Sequence, residues 1–223
     1  MCGRFTRTQS IPAIAAEFGV EQVSFDLGAS YNVAPTQKVA VIISEGVKQI
    51  VPAQWGLVPS WAKDISIGNK MINARAETIT EKASYRNAFK KRRCLVVADG
   101  FYEWQKAGGA KRPVYIRLKS GKPFGFAGLY ELWKSPEGGE LTTCTIITTE
   151  PNDLMKPIHD RMPVIIPRED HDTWIDPKTE DRAHLLDLLK PYPAGEMEAY
   201  PVSKAVNSPG YNSPECIIRL RPN

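Results

Sequence analysis

Apolar positions along this chain follow two rhythms, and one of them dominates. From residue 39 onward, short runs recur in which β-branched and aromatic residues either follow one another or alternate with polar ones. They are "VAVIIS", "QIVPAQWGLV", "CLVVAD", "GFYEWQK", "PVYIRLK", "FGFAGLYELW", "TTCTIITT", "PVIIP" and "ECIIRL". Runs of this length and composition, bounded by turn residues, predict strands. Helical spacing is rarer. "SIPAIAAEF" carries Ile11, Ile14 and Phe18 at helical intervals, behind Ser10 as N-cap and with a proline in the first turn. "TITEKASYRNAFKKRR" predicts a second helix, with Thr78 and Glu81 at capping-box spacing and a basic last turn; "DRAHLLDLLK" predicts a third. Strands outnumber helices and do not alternate with them, which predicts an α+β architecture rather than a doubly wound sheet. No repeat, low-complexity segment or linker breaks the pattern, so residues 1–223 are expected to form one domain.

Composition narrows the class only a little. Hydrophobic residues at 42% and charged residues at 24% suit an ordinary globular core. No apolar run is long enough to span a bilayer, and no basic-then-apolar leader opens the chain, so a soluble cytoplasmic protein with no membrane partner is expected. The net charge of +4 permits nucleic-acid binding without requiring it. The run Lys90 to Arg93 is read as cations completing a helix C-terminus and facing solvent rather than as a DNA patch. Of the 4 cysteines, Cys94, Cys144 and Cys216 sit in strand-like runs and are expected to be buried free thiols, with no disulfide framework, metal site or cofactor.

Cys2 is different. Once the initiator is removed it carries a free α-amine and a thiol two carbons apart, with ordinary pKa values of roughly 7.7–8.0 and about 8.5. Two chemistries use such a pair. The thiol can attack an acyl carbon with the amine as base. Alternatively the amine condenses with an aldehyde to an imine, and the thiol closes on the same carbon to give a five-membered thiazolidine. That closure is intramolecular and gains a large effective molarity. While Met1 remains attached, the free amine belongs to methionine and the chain is a blocked precursor.

Other residues supply candidate partners. "DGFYEW" sets Glu103 among Phe101, Tyr102 and Trp104, where desolvation raises a carboxyl pKa and makes it a proton shuttle. "INARAET" puts Asn73, Arg75 and Glu77 on one face if the segment is extended, offering an amide beside a guanidinium suited to phosphate. His171 and His184 lie among charges, as on solvated helix faces. His159, in a loop before a strand with Arg161 close behind, is the acid/base candidate of the 3 histidines.

In order along the chain, "MCGRF", "YNVAPTQKV", "WGLVPSW", "INARAET", "CLVVADGFYEW", "IITTEPND", "IHDRMPVII" and "PVSKAVNSP" closely resemble the SOS-response-associated peptidase (SRAP) family of abasic-site processing proteins. The resemblance implies a compact α+β domain with a mixed, barrel-like sheet core flanked by helices. It implies the second chemistry: capture of the ring-opened aldehyde of an abasic site in single-stranded DNA as a thiazolidine crosslink that shields the lesion during the DNA damage response. Carried onto this chain, Cys2 is the nucleophile, Asn73 orients its amine, Glu103 shuttles the amine proton, and His159 protonates the deoxyribose oxygen. Arg4, Arg75 and Arg161 match positions that hold phosphates. Asn32, Pro35, Trp104 and Thr148 line the groove, and Trp61 stacks on a base. Some relatives have two adjacent tryptophans where this chain has Trp61-Ala62. AP lyase activity, crosslink reversal and autoproteolytic removal of Met1 are implied as well, with the protein acting as a monomer that joins the nucleoid when bound to DNA. Longer eukaryotic members carry a clamp-binding tail; none is expected here, where the sequence ends at Asn223.

Two rival readings make different predictions. A class II glutamine amidotransferase-like hydrolase also begins Met-Cys-Gly but brings an αββα sandwich and an Asn-Gly oxyanion signature. A non-catalytic single-strand binding module would bind intact and abasic DNA alike and leave no covalent adduct.

Overall fold

A computed structural model describes residues 2–23 and 25–221. In chain order the first elements are β1 (Phe5–Arg7), α1 (Ile11–Phe18), β2 (Gln22–Val23), β3 (Ser30–Val33), β4 (Lys38–Ser44), β5 (Lys48–Trp55) and β6 (Asn73–Arg75). There follow α2 (Arg86–Lys91), β7 (Arg93–Ala98), β8 (Gly100–Ala107), β9 (Ala110–Leu118), β10 (Phe124–Lys134) and β11 (Glu140–Thr149). The last are β12 (Met162–Pro163), β13 (Ile165–Ile166), α3 (His171–Ile175), α4 (Arg182–Asp187) and β14 (Met197–Pro201).

The continuously apolar runs close into a barrel. Its strands pair in the order β11, β10, β7, β4, β5, and β5 returns to β11 through parallel partners Gln54–Thr143 and Trp55–Cys144. The other barrel pairings are antiparallel, so the barrel is mixed. Strands buried on both faces read as unbroken apolar sequence. On β4, Val39, Val41 and Ile43 point into one apolar cluster, while Ala40 and Ile42 point into another beneath the helices. Cys94, Val96 and Ala98 of β7 alternate with Leu95 and Val97 in the same way. The helix-side cluster takes Ile11, Ile14 and Phe18 of α1, Phe89 of α2, Trp174 of α3 and Leu185 of α4.

A second sheet, fully antiparallel, runs β14, β9, β8, β1, β3. It shares the other apolar cluster with the barrel: Phe5 and Phe101 meet Trp55 and Phe126 there. The expected α+β fold with a mixed barrel core is present, and it is not the αββα sandwich of the hydrolase reading.

Four local expectations need correction. The helix over 78–93 shrinks to α2, preceded by a 3-10 turn at Ala76–Thr78 and further turns. Ile79 and Tyr85 are buried six positions apart with Lys82 and Ala83 exposed between them, so no single helical stripe covers the segment. Arg93 does not face solvent: it is 1% exposed and donates to the carbonyls of Phe89, Lys90, Trp174, Asp176 and Thr179, tying α2 to α3. "ECIIRL" is not a strand; Ser213 and Pro214 start a 3-10 turn over Pro214–Ile217 that buries Cys216. His171 is partly buried, stacked on Phe18 at 5.1 Å, whereas His184 is exposed as expected.

Candidate active site at the amino terminus

The site forms where three segments meet beside β1. Cys2 lies just ahead of β1, is 0% exposed and belongs to the cluster between the two sheets. Tyr102 N donates to Arg4 O at 2.9 Å, which continues the β1–β8 pairing toward the amino terminus. On β8 the side chains alternate: Phe101 enters the inter-sheet cluster, Tyr102 the outer one, and Glu103 returns to the Phe101 side. Strand geometry thus drives a carboxylate to 2% exposure beside Cys2. Burial raises the Glu103 carboxyl to about 7. Burial also pushes the Cys2 thiol up, and the negative charge of Glu103 pushes it further.

Asn73 arrives from the barrel rim. β6 pairs in parallel with β11 through Asn73–Ile146, Ala74–Ile147 and Arg75–Thr148. From there Asn73 Nδ2 donates to Cys2 O at 2.8 Å. Its Oδ1 is buried and accepts no hydrogen bond among the described residues, so an acceptor stands ready beside the Cys2 main chain. Tyr85 OH donates to Asn73 O at 3.3 Å from behind. The extended row stops early: Asn73 and Arg75 are on β6, but Glu77 lies on the 3-10 turn.

His159 closes the other side, in a loop as expected. Its Nε2 is 3.9 Å from Glu103 Oε2. Arg161 N–H donates to His159 Nδ1 at 3.0 Å, which in the neutral ring leaves the proton on Nε2, facing Glu103. Asp160 Oδ1 lies 2.8 Å from the same Nδ1, a contact that is attractive when Nδ1 carries a proton. Burial lowers the His159 pKa, favouring the neutral form. An open groove of about 600 Å³ lies alongside, lined by Trp104, Lys106, Lys111, Lys156, His159 and Asp160 among others.

The remaining candidates divide by environment. Arg4 is 9% exposed, with Nη1 donating to Asn32 Oδ1 at 2.7 Å and Val206 O at 2.8 Å, and it lies over Trp104. Asn32 Nδ2 reaches the carbonyls of Val206, Ser208 and Tyr211. Trp104 Nε1 donates to Asn207 Oδ1 at 2.7 Å. These three side chains therefore fasten the 204–211 segment against the sheet. Thr148 is buried, its hydroxyl on Ala74 O, while Arg161 Nη2 donates to Thr148 O at 2.6 Å. Arg75 is exposed at the end of β6, and Pro35 is half-buried after β3. Trp61 is 62% exposed on the loop after β5. Asn207 and Tyr85 support the site without being candidates from the sequence, although Asn207 lies within the motif "PVSKAVNSP". Among the described residues no group of three or more His, Cys, Asp or Glu could hold a metal ion, and no helix is long and apolar enough to cross a membrane.

Comparison with known proteins decides the family. The description "SOS response associated peptidase (SRAP)" matches residues 1–209. The chain belongs to the SRAP family. It is 51% identical to abasic site processing protein YoqW of Bacillus subtilis over 221 residues, covering 97% of this chain and 99% of that one. It is 34% identical to abasic site processing protein HMCES of Xenopus tropicalis, covering 86% of this chain and 66% of the relative. A crystal structure of a Bacteroides thetaiotaomicron protein superposes with a TM-score of 0.90 at 32% identity, covering 99% of this chain and 100% of that one. Met1 lies outside the described residues.

Proposed function

We propose that this SRAP chain is an abasic-site processing protein that captures the aldehyde of an abasic site in single-stranded DNA on Cys2. The observation that carries the reading is the meeting of Asn73 and Glu103 at the buried Cys2, with His159 beside Glu103. After hydrolysis frees Met1, the Cys2 α-amine adds to the C1′ aldehyde. Loss of water gives an imine. The thiol then adds to the imine carbon, its proton passing to the nitrogen, and the thiazolidine closes with one water lost overall. Asn73 Oδ1 is the acceptor that would hold the amine, and its Nδ2 already fixes Cys2 O. A carboxyl raised to about 7 exchanges protons with the amine near neutrality, and protonating it removes a charge that holds the thiol up. His159, neutral with its proton on Nε2, is the donor for the sugar oxygen.

Arg75 and Arg161 would meet backbone phosphates, Trp61 would stack on a base outside the pocket, and Arg4 with Asn32 would hold the groove wall. β-Elimination from the imine, reversal of the ring and autoproteolytic release of Met1 belong to the same proposal. So do monomeric action and a cytoplasmic place on the nucleoid.

Denaturing electrophoresis after incubation with single-stranded abasic DNA tests it. The wild type is expected to give a slow-migrating band that Cys2→Ala lacks and that forms more slowly in Glu103→Ala and His159→Ala. An equal band in all four proteins would refute the assignment. Salt-dependent binding with no band at all would favour the non-catalytic binding module instead.

A further inference from the structure

Arg161 sits at the mouth of the site, yet its guanidinium is already occupied. Nη1 donates to Glu77 Oε1 at 2.6 Å and Nη2 to Glu77 Oε2 at 3.0 Å, a bidentate end-on pair. Nη2 also reaches Thr148 O at 2.6 Å. The side-on fork is shielded rather than occupied, because Nε is buried away from solvent. The Arg161 side chain is 14% exposed against 50% for Glu77, so the carboxylate lies on the solvent side of the pair, where a strand would arrive. Arg161 holds the Glu77 carboxyl below the usual range, so it is ionised at neutral pH. Glu77 rides on the one-turn Ala76–Thr78 segment, which has no side-chain cap.

We propose that Glu77 is an internal counter-anion on Arg161 that a backbone phosphate must displace, and that it thereby limits how tightly the protein holds undamaged single strands. This rests on the function proposed above. An incoming phosphate gains the Arg161 fork only as Glu77 loses it, and the freed carboxylate then stands close to a polyanion. Exchange of one anion for another contributes little net affinity. Retention on DNA is left to the covalent step, which only a lesion supplies.

The test is anisotropy titration of an unmodified single-stranded oligonucleotide, which offers no aldehyde, across a series of KCl concentrations. Glu77→Gln keeps the side-chain shape and removes the competing charge. It is expected to bind several-fold tighter than wild type at low salt, with a log–log salt slope steeper by about 0.7, the value for one more phosphate contact on a single strand. Glu81→Gln, which removes an equal charge from an exposed residue nearby, is expected to leave the slope unchanged. Adding Arg161→Gln to Glu77→Gln should abolish the gain. Unchanged slope and affinity in Glu77→Gln, an equal gain in Glu81→Gln, or a gain that survives the double substitution would each overturn the gate. Crosslinking of abasic DNA by the wild type keeps the two ideas distinguishable: a normal adduct with no Glu77 effect overturns the gate alone. No binding and no adduct overturns the proposed function and the gate with it.

Discussion

Glu103 shows how one residue's place on a strand sets its chemistry. Alternation along β8 puts it on the face of Phe101, and burial raises its carboxyl from 4.5 to about 7. Between those values the folded protein keeps a proton that the unfolded chain releases. Its contribution to stability is therefore full below about pH 4.5 and lost as pH rises through about 7. Glu103→Gln, which cannot ionise, should gain stability over wild type as pH rises from about 5 to 8, by on the order of 3 kcal/mol at the upper end. Melting curves across that range check it; a constant difference would mean the carboxyl titrates normally. The same substitution should remove an inflection near pH 7 from the crosslinking rate, read by quenched gel assays. Glu103 was legible in the sequence because its aromatic neighbours are contiguous. Asn32 as a clamp was not: its partners lie 174, 176 and 179 positions away, and only folding brings them together.

At the level of elements, legibility followed the pattern of burial. The barrel strands were readable as short unbroken apolar runs and α1 by its helical spacing, and Ser10 caps α1 as the sequence suggests. Segments made of short local turns were misread: before α2 the bonds run from Glu81 N to Thr78 O and Tyr85 N to Lys82 O, and at Ser213-Pro214 from Glu215 N to Ser213 Oγ, with no repeating burial pattern to announce them. Two predictions belong here. Asn32→Ala should free the 204–211 segment while leaving the barrel intact, since one amide group anchors three of its carbonyls. Amide hydrogen exchange is expected to quicken there, with a stability loss of about 1–3 kcal/mol; protection unchanged at Tyr211 would contradict it. Gly100 opens β8 beneath Tyr115, where an added Cβ would stand 2.1 Å from the Tyr115 hydroxyl. That hydroxyl hydrogen-bonds Thr6, which in turn donates to Asp99. Gly100→Ala must therefore displace a buried network, and a loss of about 1–3 kcal/mol or more is expected from denaturant unfolding.

Across the whole molecule, the four thiols lie in two apolar clusters, three between the sheets and one in the outer cluster. Cys94 on β7 and Cys144 on β11 face the inter-sheet cluster, Cys216 lies under the outer aromatic cluster, and Cys2 caps the site; all four are free and buried. Burial pushes the Cys2, Cys94 and Cys144 thiols up, so neither exposure nor ionisation favours their reaction in the folded state. In protein that retains Met1, a disulfide reagent should titrate none of them promptly, and all four together on unfolding. Removal of Met1 changes only one surrounding. The Cys2 main chain then ends in an amine next to Asn73 and Glu103, and a site that admits an aldehyde must also admit a small reagent. One thiol per chain should become reactive, faster as pH rises, while the other three stay silent. Intact-mass measurement before and after labelling links reactivity to the loss of Met1. A rapidly labelled Cys2 in chains that keep Met1 would mean that burial does not guard the nucleophile, and the account of why it needs processing would fail.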